Sequence, residues 1–299
     1  MAEGPFLVVG LGEILWDLFP EGKILGGAPA NFAYHARVLG DEGLPASRVG
    51  ADALGREIRL RLSELGVPDR QVQTDPARPT GTVQVELDPG GMPAYTITPE
   101  VAWDYLEWSG DLAALAARTD AVCFGSLAQR SPQSRRTIRS FLAAVPSRAL
   151  RVFDVNLRQS WYSEEVLSAS LAASSILKLN ESELPVVLRT LGLGEQREPL
   201  QGCRLLRDRF DLELVCLTLG EQGSLLVGEA GESRQAGFRV QVVDTVGSGD
   251  AFTAALCHHR LRAASLERIG QAANRYGAWV ASQAGATPPA SAEILQAVL

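Results

Sequence analysis

The residues best suited to chemistry lie between Asp244 and Phe252, which read D-T-V-G-S-G-D-A-F. The apolar run Val240–Val243 just before them is predicted to be a strand, and a helix is predicted to begin at Gly249. The glycine-rich turn between strand and helix directs backbone N–H groups toward the helix N-terminus, where an anion is favoured. Asp250 would lie in the first helical turn, where its carboxylate can accept the proton of a hydroxyl that attacks a bound phosphate. The simpler alternative is that Asp250 only caps the helix.

A second segment, from Gly26 to Gly40, reads G-G-A-P-A-N-F-A-Y-H-A-R-V-L-G. Its two leading glycines permit a close approach of the backbone, and Pro29 suits the first turn of a helix. Asn31 follows near the start of that helix, where its side-chain amide is available to a polar ligand. Taken alone, the segment is better explained as a capped helix that packs on a sheet.

Charge and composition exclude several classes of protein. The 299 residues include 28 basic and 35 acidic side chains, and this net charge of −7 argues against a general binder of nucleic acid or of anionic membranes. The only lysines are Lys23 and Lys178, and neither stands in the G-x-x-x-x-G-K-[ST] pattern of a phosphate-binding loop. A nucleoside triphosphate would therefore have to be held in another way.

The cysteines and the N-terminal sequence bear on the compartment. The four cysteines have no C-x-x-C spacing and stand in apolar surroundings, which indicates reduced core residues of a cytoplasmic protein. The N-terminal residues have no secretory pattern, and no apolar run reaches membrane-spanning length. We therefore expect no membrane partner.

Short apolar runs alternate with longer amphipathic stretches along most of the chain. This alternation predicts an α/β fold, a mostly parallel central sheet with helices on both faces, in a single domain spanning residues 1–299. The predicted strands are Phe6–Val9, Ala121–Phe124, Leu150–Phe153, Ile176–Leu179, Leu214–Leu219, Ser224–Val227 and Val240–Val243. The predicted helices are Pro29–Leu39, Leu54–Leu65, Leu112–Arg118, Pro132–Val145, Glu164–Ala173, Glu181–Leu191, Leu200–Phe210, Gly249–Arg262, Leu266–Ala281 and Ala292–Val298.

Two stretches, residues 13–25 and 80–99, interrupt this alternation and are predicted to form antiparallel strands outside the parallel sheet. In the second stretch apolar and polar residues alternate on both sides of a D-P-G-G turn, as in a hairpin with one apolar face. Together the stretches predict a small β-lid, although extra edge strands on the main sheet explain the pattern equally well. We expect the face of Val83, Val85 and Leu87 to contribute to a homodimer.

The two glycine-containing segments resemble the two signatures of the ribokinase-like (PfkB-type) sugar kinases, G-G-x-x-x-N and D-T-x-G-x-G-D. The resemblance extends over nearly the whole chain, with both motifs in the order that the family has. It implies a ribokinase-like fold with a β-lid and ATP-dependent phosphorylation of a hydroxymethyl group. It also implies that the phosphates are bound largely by backbone amides, which suits a chain without a lysine loop.

The resemblance implies roles for individual residues of this chain. The catalytic base and the anion hole would be Asp250, Gly247, Ser248 and Gly249. The sugar-binding residues would be Asp17, Gly27, Asn31 and Arg158. Arg158 comes from Asp154–Arg158, which resembles a D-x-N-x-R element of related kinases; it would supply a cation, or else it pairs with a neighbouring acid.

Further residues are implied for the nucleotide and its metal. Glu183, in the element N-x-x-E, would hold Mg²⁺ through water, unless the element is only a helix cap. The nucleotide-binding residues would be Lys178, Asn180, Thr218, Gly220, Gly223 and Asn274. Pro289 stands where relatives that bind a monovalent cation have a hydroxyl residue, so activation by potassium (K⁺) is left open.

The sugar is most plausibly fructose, because G-G-A-P-A-N, G-E-I-L-W-D and G-T-V-Q-V-E-L-D are most similar to fructokinases. The expected cofactors are ATP and Mg²⁺. A kinase for 2-keto-3-deoxygluconate or another small sugar is the alternative within the class. A sugar- or nucleotide-sensing module without turnover is the alternative outside it, although the intact Asp250 argues against it. Binding of a dinucleotide is not predicted, because Leu15 stands where G-x-G-x-x-G needs its third glycine.

Overall fold

The apolar runs of the sequence form the strands at the centre of the molecule. The computed structural model describes residues 4–20, 22–87, 93–194 and 198–299. In chain order the strands are Leu7–Leu11 (β1), Leu15–Phe19 (β2), Gly22–Gly26 (β3), Glu42–Gly50 (β4), Val72–Asp75 (β5), Gly81–Leu87 (β6), Pro93–Ile97 (β7), Ala121–Phe124 (β8), Leu150–Asp154 (β9), Ile176–Asn180 (β10), Leu214–Thr218 (β11), Ser224–Gly228 (β12) and Gly231–Gln235 (β13).

The main sheet has nine strands in the order β13-β12-β11-β10-β9-β8-β1-β4-β5. The strands from β11 to β5 run parallel, whereas β12 and β13 extend the sheet as antiparallel strands. Successive residues of the central strands are buried on opposite faces; Val8 and Val9, for example, belong to different hydrophobic cores. Burial on both faces explains why these strands are continuous apolar runs in the sequence.

Helices cover both faces of this sheet. One core contains residues from α3 to α7, and the core on the other face contains residues from α1, α8, α9 and α10. The helices are Ala28–Val38 (α1), Ala53–Glu64 (α2), Gly110–Ala116 (α3), Pro132–Ala144 (α4), Glu164–Ala172 (α5), Glu183–Thr190 (α6), Pro199–Phe210 (α7), Ser248–Leu261 (α8), Leu266–Ala281 (α9) and Ala292–Val298 (α10). Within the described ranges, no helix has both the length and the apolar character needed to span a bilayer.

A second sheet of four strands, in the order β3-β2-β6-β7, contains both stretches that interrupt the predicted alternation. We call it the small sheet. Each stretch is an antiparallel hairpin, and a parallel pairing of β2 with β6 joins the two hairpins. The strands are therefore separate from the main sheet, as a β-lid requires, and are not extra edge strands. The predicted turn at residues 88–91 lies outside the described residues.

The register of the small sheet defines its apolar face. Asp17 is paired with Val83, and Val83 is paired with Ile97, so these three side chains share one face. Val83 is buried in the core of its own chain. The expectation that Val83 contributes to a dimer contact is therefore wrong, because the residue already has intramolecular partners. The side chains of Val85 and Leu87 fall outside what the structure describes.

Other differences from the sequence prediction concern strands. Val240–Val243 is not a strand: Val242 and Val243 are each 61% exposed, and the Val243 N–H donates to the Ala281 carbonyl instead of a neighbouring strand. Conversely, β4, β5 and β13 were not predicted, because their sequences lack a run of apolar or β-branched residues. Pairing with strands that are already in the sheet decides their conformation.

Candidate active site

The two glycine-containing motifs meet at the carboxyl edge of the main sheet. The Asn31 side-chain Nδ2 donates to Asp250 Oδ2 at 2.9 Å, although the residues are 219 positions apart. Gly27, which precedes α1, has φ 107°, and a Cβ at this position would lie 2.6 Å from the Glu13 carbonyl oxygen. A glycine here therefore lets α1 begin directly against the segment that follows β1.

The turn before α8 leaves backbone donors unpaired. Gly247 has φ 80°, and a Cβ there would lie 2.5 Å from the Ala286 carbonyl oxygen. The Ser248 N–H donates to the Thr245 carbonyl at 3.3 Å. The N–H groups of Gly249 and Asp250, by contrast, have no acceptor among the described residues. Unpaired amides at the start of a 14-residue helix are donors of the kind that bind anions in proteins.

Buried aromatic residues hold the loop that supports this turn. The ring of His35 contacts the Ala286 carbonyl through Nε2 and the Tyr276 hydroxyl through Nδ1, both at 2.9 Å. Burial lowers the pKa of His35 to about 4, so the ring is neutral. A carbonyl only accepts, so Nε2 carries the hydrogen and Nδ1 accepts from Tyr276. The Tyr34 hydroxyl donates to the Pro288 carbonyl at 2.9 Å and fixes the same loop.

A buried ion pair lies beneath the glycine turn. Lys178 Nζ is 3.0 Å from both carboxylate oxygens of Asp154, and the Thr253 hydroxyl donates to Asp154 Oδ2 at 3.0 Å. A Cβ on Gly249 would lie 3.0 Å from the same Nζ atom. Burial disfavours the ammonium, but Asp154 and other nearby carboxylates outweigh it and raise the pKa of Lys178 above its ordinary value. A positive charge therefore adjoins the glycine turn.

The environment of Asp250 suits a general base. Burial and the negative charge of Asp154 raise the pKa of Asp250 to about 7, against an ordinary value of 3.8. The hydrogen bond from Asn31 and the positive charges of Lys178 and Arg158 act in the opposite direction. A base whose pKa lies near neutral pH is deprotonated when it is needed and still takes up a proton readily.

Glu13 and the guanidinium of Arg158 act electrostatically on this base, and Asp17 interacts with the same guanidinium. Burial raises the pKa of Asp17 to about 6 and that of Glu13 to about 7, and the charge of Arg158 opposes both shifts. Arg158 itself is exposed and donates to the Leu157 carbonyl at 3.1 Å. It forms no ion pair with any acid in the described ranges, so the alternative pairing predicted for it is not observed.

Glu183 lies beside this group at the start of α6. Its carboxylate accepts the N–H of Leu157 at 2.9 Å and that of Asn180 at 2.8 Å. Asn180 Oδ1 in turn accepts the N–H of Glu183, so the element also caps the helix, as its sequence allows. The described residues contain no cluster of three or more metal-ligating side chains. A single buried carboxylate suits Mg²⁺ only where water and phosphate oxygens complete the shell.

The remaining predicted nucleotide residues follow β11. Thr218, the last residue of β11, is paired in register with Asn180. The turn Gly220–Gly223 then leads back into β12. Asn274, from α9, donates through Nδ2 to the Gln235 carbonyl at 3.2 Å, so its amide orders the segment that follows β13.

The structure also identifies residues that the sequence prediction did not include in the site. They are Glu13, Asp154 and Thr253, all buried close to Asp250. Asp154 stands inside the D-x-N-x-R element, which is a signal that points to it. Glu13 stands inside the G-E-I-L-W-D motif, which likewise points to it, whereas only burial and neighbours distinguish Thr253.

Comparison with known proteins agrees with this geometry. A family model described as pfkB family carbohydrate kinase matches residues 21–293. The chain belongs to this family. It is therefore a phosphotransferase, an ATP-dependent sugar kinase of the ribokinase-like fold.

Individual pfkB relatives match over most of their length. A fructokinase of Klebsiella pneumoniae is 33% identical, with 82% of this chain and 81% of the relative covered. The sugar kinase PH1459 of Pyrococcus horikoshii, solved in complex with ATP, is 27% identical with a TM-score of 0.81, covering 98% of this chain and 100% of that one. A fructokinase of Vibrio cholerae, solved with fructose, ADP and calcium ion, is 25% identical with a TM-score of 0.79, covering 99% of each chain.

Proposed function

We propose that this pfkB kinase transfers the γ-phosphoryl group of ATP to a hydroxymethyl group of a neutral sugar, D-fructose. The observation that carries the proposal is the contact of Asn31 with Asp250 beside the unpaired N–H groups of Gly249 and Asp250. This contact brings a base and an anion-binding turn to one point. The similarity to fructokinases supports the choice of sugar.

Asp250 is the catalytic base in this proposal. Its carboxylate takes the proton of the sugar hydroxyl as the hydroxyl oxygen forms a bond to the γ-phosphorus. The bond from that phosphorus to the β,γ-bridging oxygen breaks, and ADP leaves with the electron pair. The Asn31 amide holds Asp250 Oδ2, which leaves Oδ1 for the sugar.

Charge on the transferred group is balanced by fixed donors. The N–H groups of Gly249 and Asp250 face the phosphoryl oxygens, with Gly247 and Ser248 shaping the turn, and Lys178 adds its charge from below. Arg158 is placed on an exposed loop from which it can reach the sugar or the phosphoryl group. Mg²⁺, when bound, neutralises phosphate charge, and Glu183 would hold it through water.

The sugar and the adenine nucleotide are assigned to opposite sides of Asp250. Asp17 accepts sugar hydroxyls from the small sheet, which covers the site as a lid, and Gly27 lets the sugar approach the backbone of α1. On the other side Asn180, Thr218, Gly220, Gly223 and Asn274 form the nucleotide site.

A neutral sugar is favoured over 2-keto-3-deoxygluconate by the charges around the site. Glu13, Asp17 and Asp250 bring three carboxyl groups to the sugar side. Arg158 is the exposed cation that faces all three. A substrate carboxylate would add a further negative charge to this group, whereas hydroxyl groups can donate to each of the three.

The test is ADP release with Mg-ATP, measured for D-fructose, 2-keto-3-deoxygluconate, ribose and adenosine. We expect the highest kcat/KM for fructose, with turnover reduced by at least about 1,000-fold in Asp250→Asn. The control is Asp41→Asn, which alters a buried carboxylate at the far end of α8, bonded to His258 and Arg262. It should retain turnover.

Other results would redirect the proposal. Preference for 2-keto-3-deoxygluconate would replace the sugar and leave the kinase mechanism intact. Binding of ATP and a sugar without turnover of any substrate would favour a sensing module. Equal turnover by the parent and by Asp250→Asn would contradict the assignment of the base.

A homodimer formed through the small sheet stays a prediction, now without Val83 as a contact. The exposed apolar side chains of this sheet include Ile24 at 43% and Tyr95 at 54% exposure. Sedimentation at micromolar concentration should give a dimer that Tyr95→Ser weakens, and a monomer throughout would contradict it. Activation by K⁺ is tested by replacing it with tetramethylammonium in the same assay.

A further inference from the structure

Four buried polar atoms without a hydrogen-bond partner surround the base of the small sheet and the start of α1. Among the described residues they are Glu13 Oε2, Asn31 Oδ1, Trp103 Nε1 and Arg130 Nη1. Trp103 Nε1 lies directly against Gly81 of β6, which places it beside the small sheet. Proteins pair nearly all their buried polar groups, so several unpaired groups at one end of the small sheet indicate a polar ligand.

Glu13 is the acidic member of this group. Glu13 is only 3% exposed, and it follows β1 at the edge of the main sheet where Asp250 lies. Asp250, Arg158 and Arg130 all act electrostatically on its carboxyl group. In the described part of the chain, however, neither arginine comes within the 4.0 Å of an ion pair with it. The carboxyl group therefore lies among charged groups without direct contact with either guanidinium.

Arg130 is the basic member, and its guanidinium is held rigidly. Nε and Nη2 donate to the two carboxylate oxygens of Asp104, each at 2.8 Å, and Nη2 also donates to the Thr98 carbonyl at 2.6 Å. The guanidinium lies over the rings of Trp103 and Trp161, at 4.0 and 5.0 Å from their centroids. These contacts fix its plane and leave Nη1 as the donor without a partner.

We propose that Glu13 and Arg130 together bind one hydroxyl group of the acceptor sugar, distinct from the hydroxymethyl group that receives the phosphoryl group. This hydroxyl donates to Glu13 Oε2 and accepts from Arg130 Nη1, so both buried atoms gain a partner. The proposal rests on the proposed function and makes this pair a determinant of sugar specificity.

The charge balance defines the class of ligand. Asp104 already compensates the charge of Arg130 through two hydrogen bonds, so Glu13 brings an uncompensated acidic group to the site. A carboxylate or phosphate of the substrate at this point would meet that acid. A hydroxyl group can donate and accept at once, so a sugar hydroxyl can satisfy an unpaired carboxyl oxygen and an unpaired guanidinium N–H together.

The test compares D-fructose with its single-deoxy analogues, in which one hydroxyl at a time is replaced by hydrogen. The parent should lose about 100-fold or more in kcat/KM on one analogue, because the pair is then left unsatisfied. Glu13→Leu should lose about 100-fold on fructose but differ from the parent by no more than about threefold on that analogue. Glu13→Gln keeps an acceptor oxygen, so its kcat/KM on fructose should lie between those of the parent and Glu13→Leu.

The control is Asp75→Asn, which alters a buried carboxylate on β5 that pairs with Arg48 and should leave the pattern across the analogues unchanged. Equal loss by Glu13→Leu on fructose and on every analogue would overturn the proposal, because the residue would then act without touching a hydroxyl. If Glu13→Leu does not fold, Glu13→Gln is judged by the same criterion.

A direct measurement separates this site from the kinase assignment. Calorimetry of fructose and the analogues on Asp250→Asn, with and without Glu13→Gln, should show the same loss of discrimination in Kd without turnover. If the parent phosphorylates fructose but uses every deoxy analogue equally well, the hydroxyl site is contradicted and the proposed function is not. A parent that neither binds nor phosphorylates any sugar would remove both.

Discussion

Replacing Asp250 with asparagine should remove turnover and at the same time stabilise the fold. The pKa of this carboxyl is raised from 3.8 to about 7, mainly by burial. The folded protein thus holds the proton more tightly than the unfolded chain does, and stability decreases as the pH rises from about 4 to about 7. Asparagine is neutral at every pH, so it avoids this loss.

The magnitude follows from the two pKa values. Integration between 3.8 and about 7 gives an upper limit of about 4 kcal/mol gained by Asp250→Asn at pH 8.5, and about 2 kcal/mol at pH 5. The new amide also loses the charge that strengthened the hydrogen bond from Asn31, so the measured gain should be smaller. The gain in stability should be positive and should increase with pH.

The assay is urea unfolding of the parent and Asp250→Asn at pH 5 and pH 8.5, beside ADP release. Asp41→Asn provides a control of opposite sign. Burial alone would raise the pKa of Asp41, but hydrogen bonds from His258, Arg262 and the Phe6 N–H outweigh it and lower that pKa. Asp41 therefore stabilises the fold above its ordinary pKa, and its asparagine variant should be less stable at both pH values.

The same unfolding experiment can contradict the raised pKa of Asp250. If Asp250→Asn is no more stable than the parent at pH 8.5, the carboxylate is not penalised by burial and its pKa cannot lie near 7. A gain of equal size at pH 5 and pH 8.5 would point to repacking and would also remove the electrostatic explanation. Either result would leave the base without the feature that suits it to neutral pH.

Further outcomes concern the pH profile and the glycine turn. With fructose, kcat/KM should fall about tenfold from pH 8 to pH 6 as Asp250 takes up a proton. Asp154→Asn removes a negative charge near Asp250, so it should move this fall in kcat/KM to lower pH. A pH profile unchanged by Asp154→Asn would contradict the electrostatic effect of Asp154 on Asp250. Gly247→Ala should cost about 2–4 kcal/mol in stability and at least tenfold in kcat, because a positive φ is combined with a clash against Ala286. Gly285→Ala, with φ 75° and no atom within 4 Å of the new Cβ, should cost only about 1–2 kcal/mol, and equal costs would contradict the steric argument.

Much of the fold can be predicted from the local sequence. Helices α1 to α10 all lie within about two residues of their predicted limits, because caps, prolines and apolar spacing act over a single turn. The central strands are equally visible, since burial on both faces favours apolar residues at most positions. Strand β13 is different: its sequence, G-E-S-R-Q, is polar, and only the edge offered by β12 makes it a strand.

The strand predicted at Val240–Val243 is wrong because no neighbouring strand among the described residues is available to this segment. The V-Q-V-V pattern is typical of a strand, but the N–H groups of Val243 and Asp244 both donate to the Ala281 carbonyl, at 2.9 and 3.2 Å. No strand of the described structure offers this segment an edge. Intrinsic preference for a strand has little effect without a neighbouring strand to complete the ladder.

At the site, the sequence alone determined the groups and the structure determined their properties. The glycine turn, Asp250 and Asn31 are recognisable because a turn and a helix start depend on adjacent residues. That the pKa of Asp250 is about 7, and that Glu13 lies unpaired beside it, depends on burial and on charges distant in the chain. Desolvation and Coulomb energies are set by three-dimensional distance, so only the folded chain decides them.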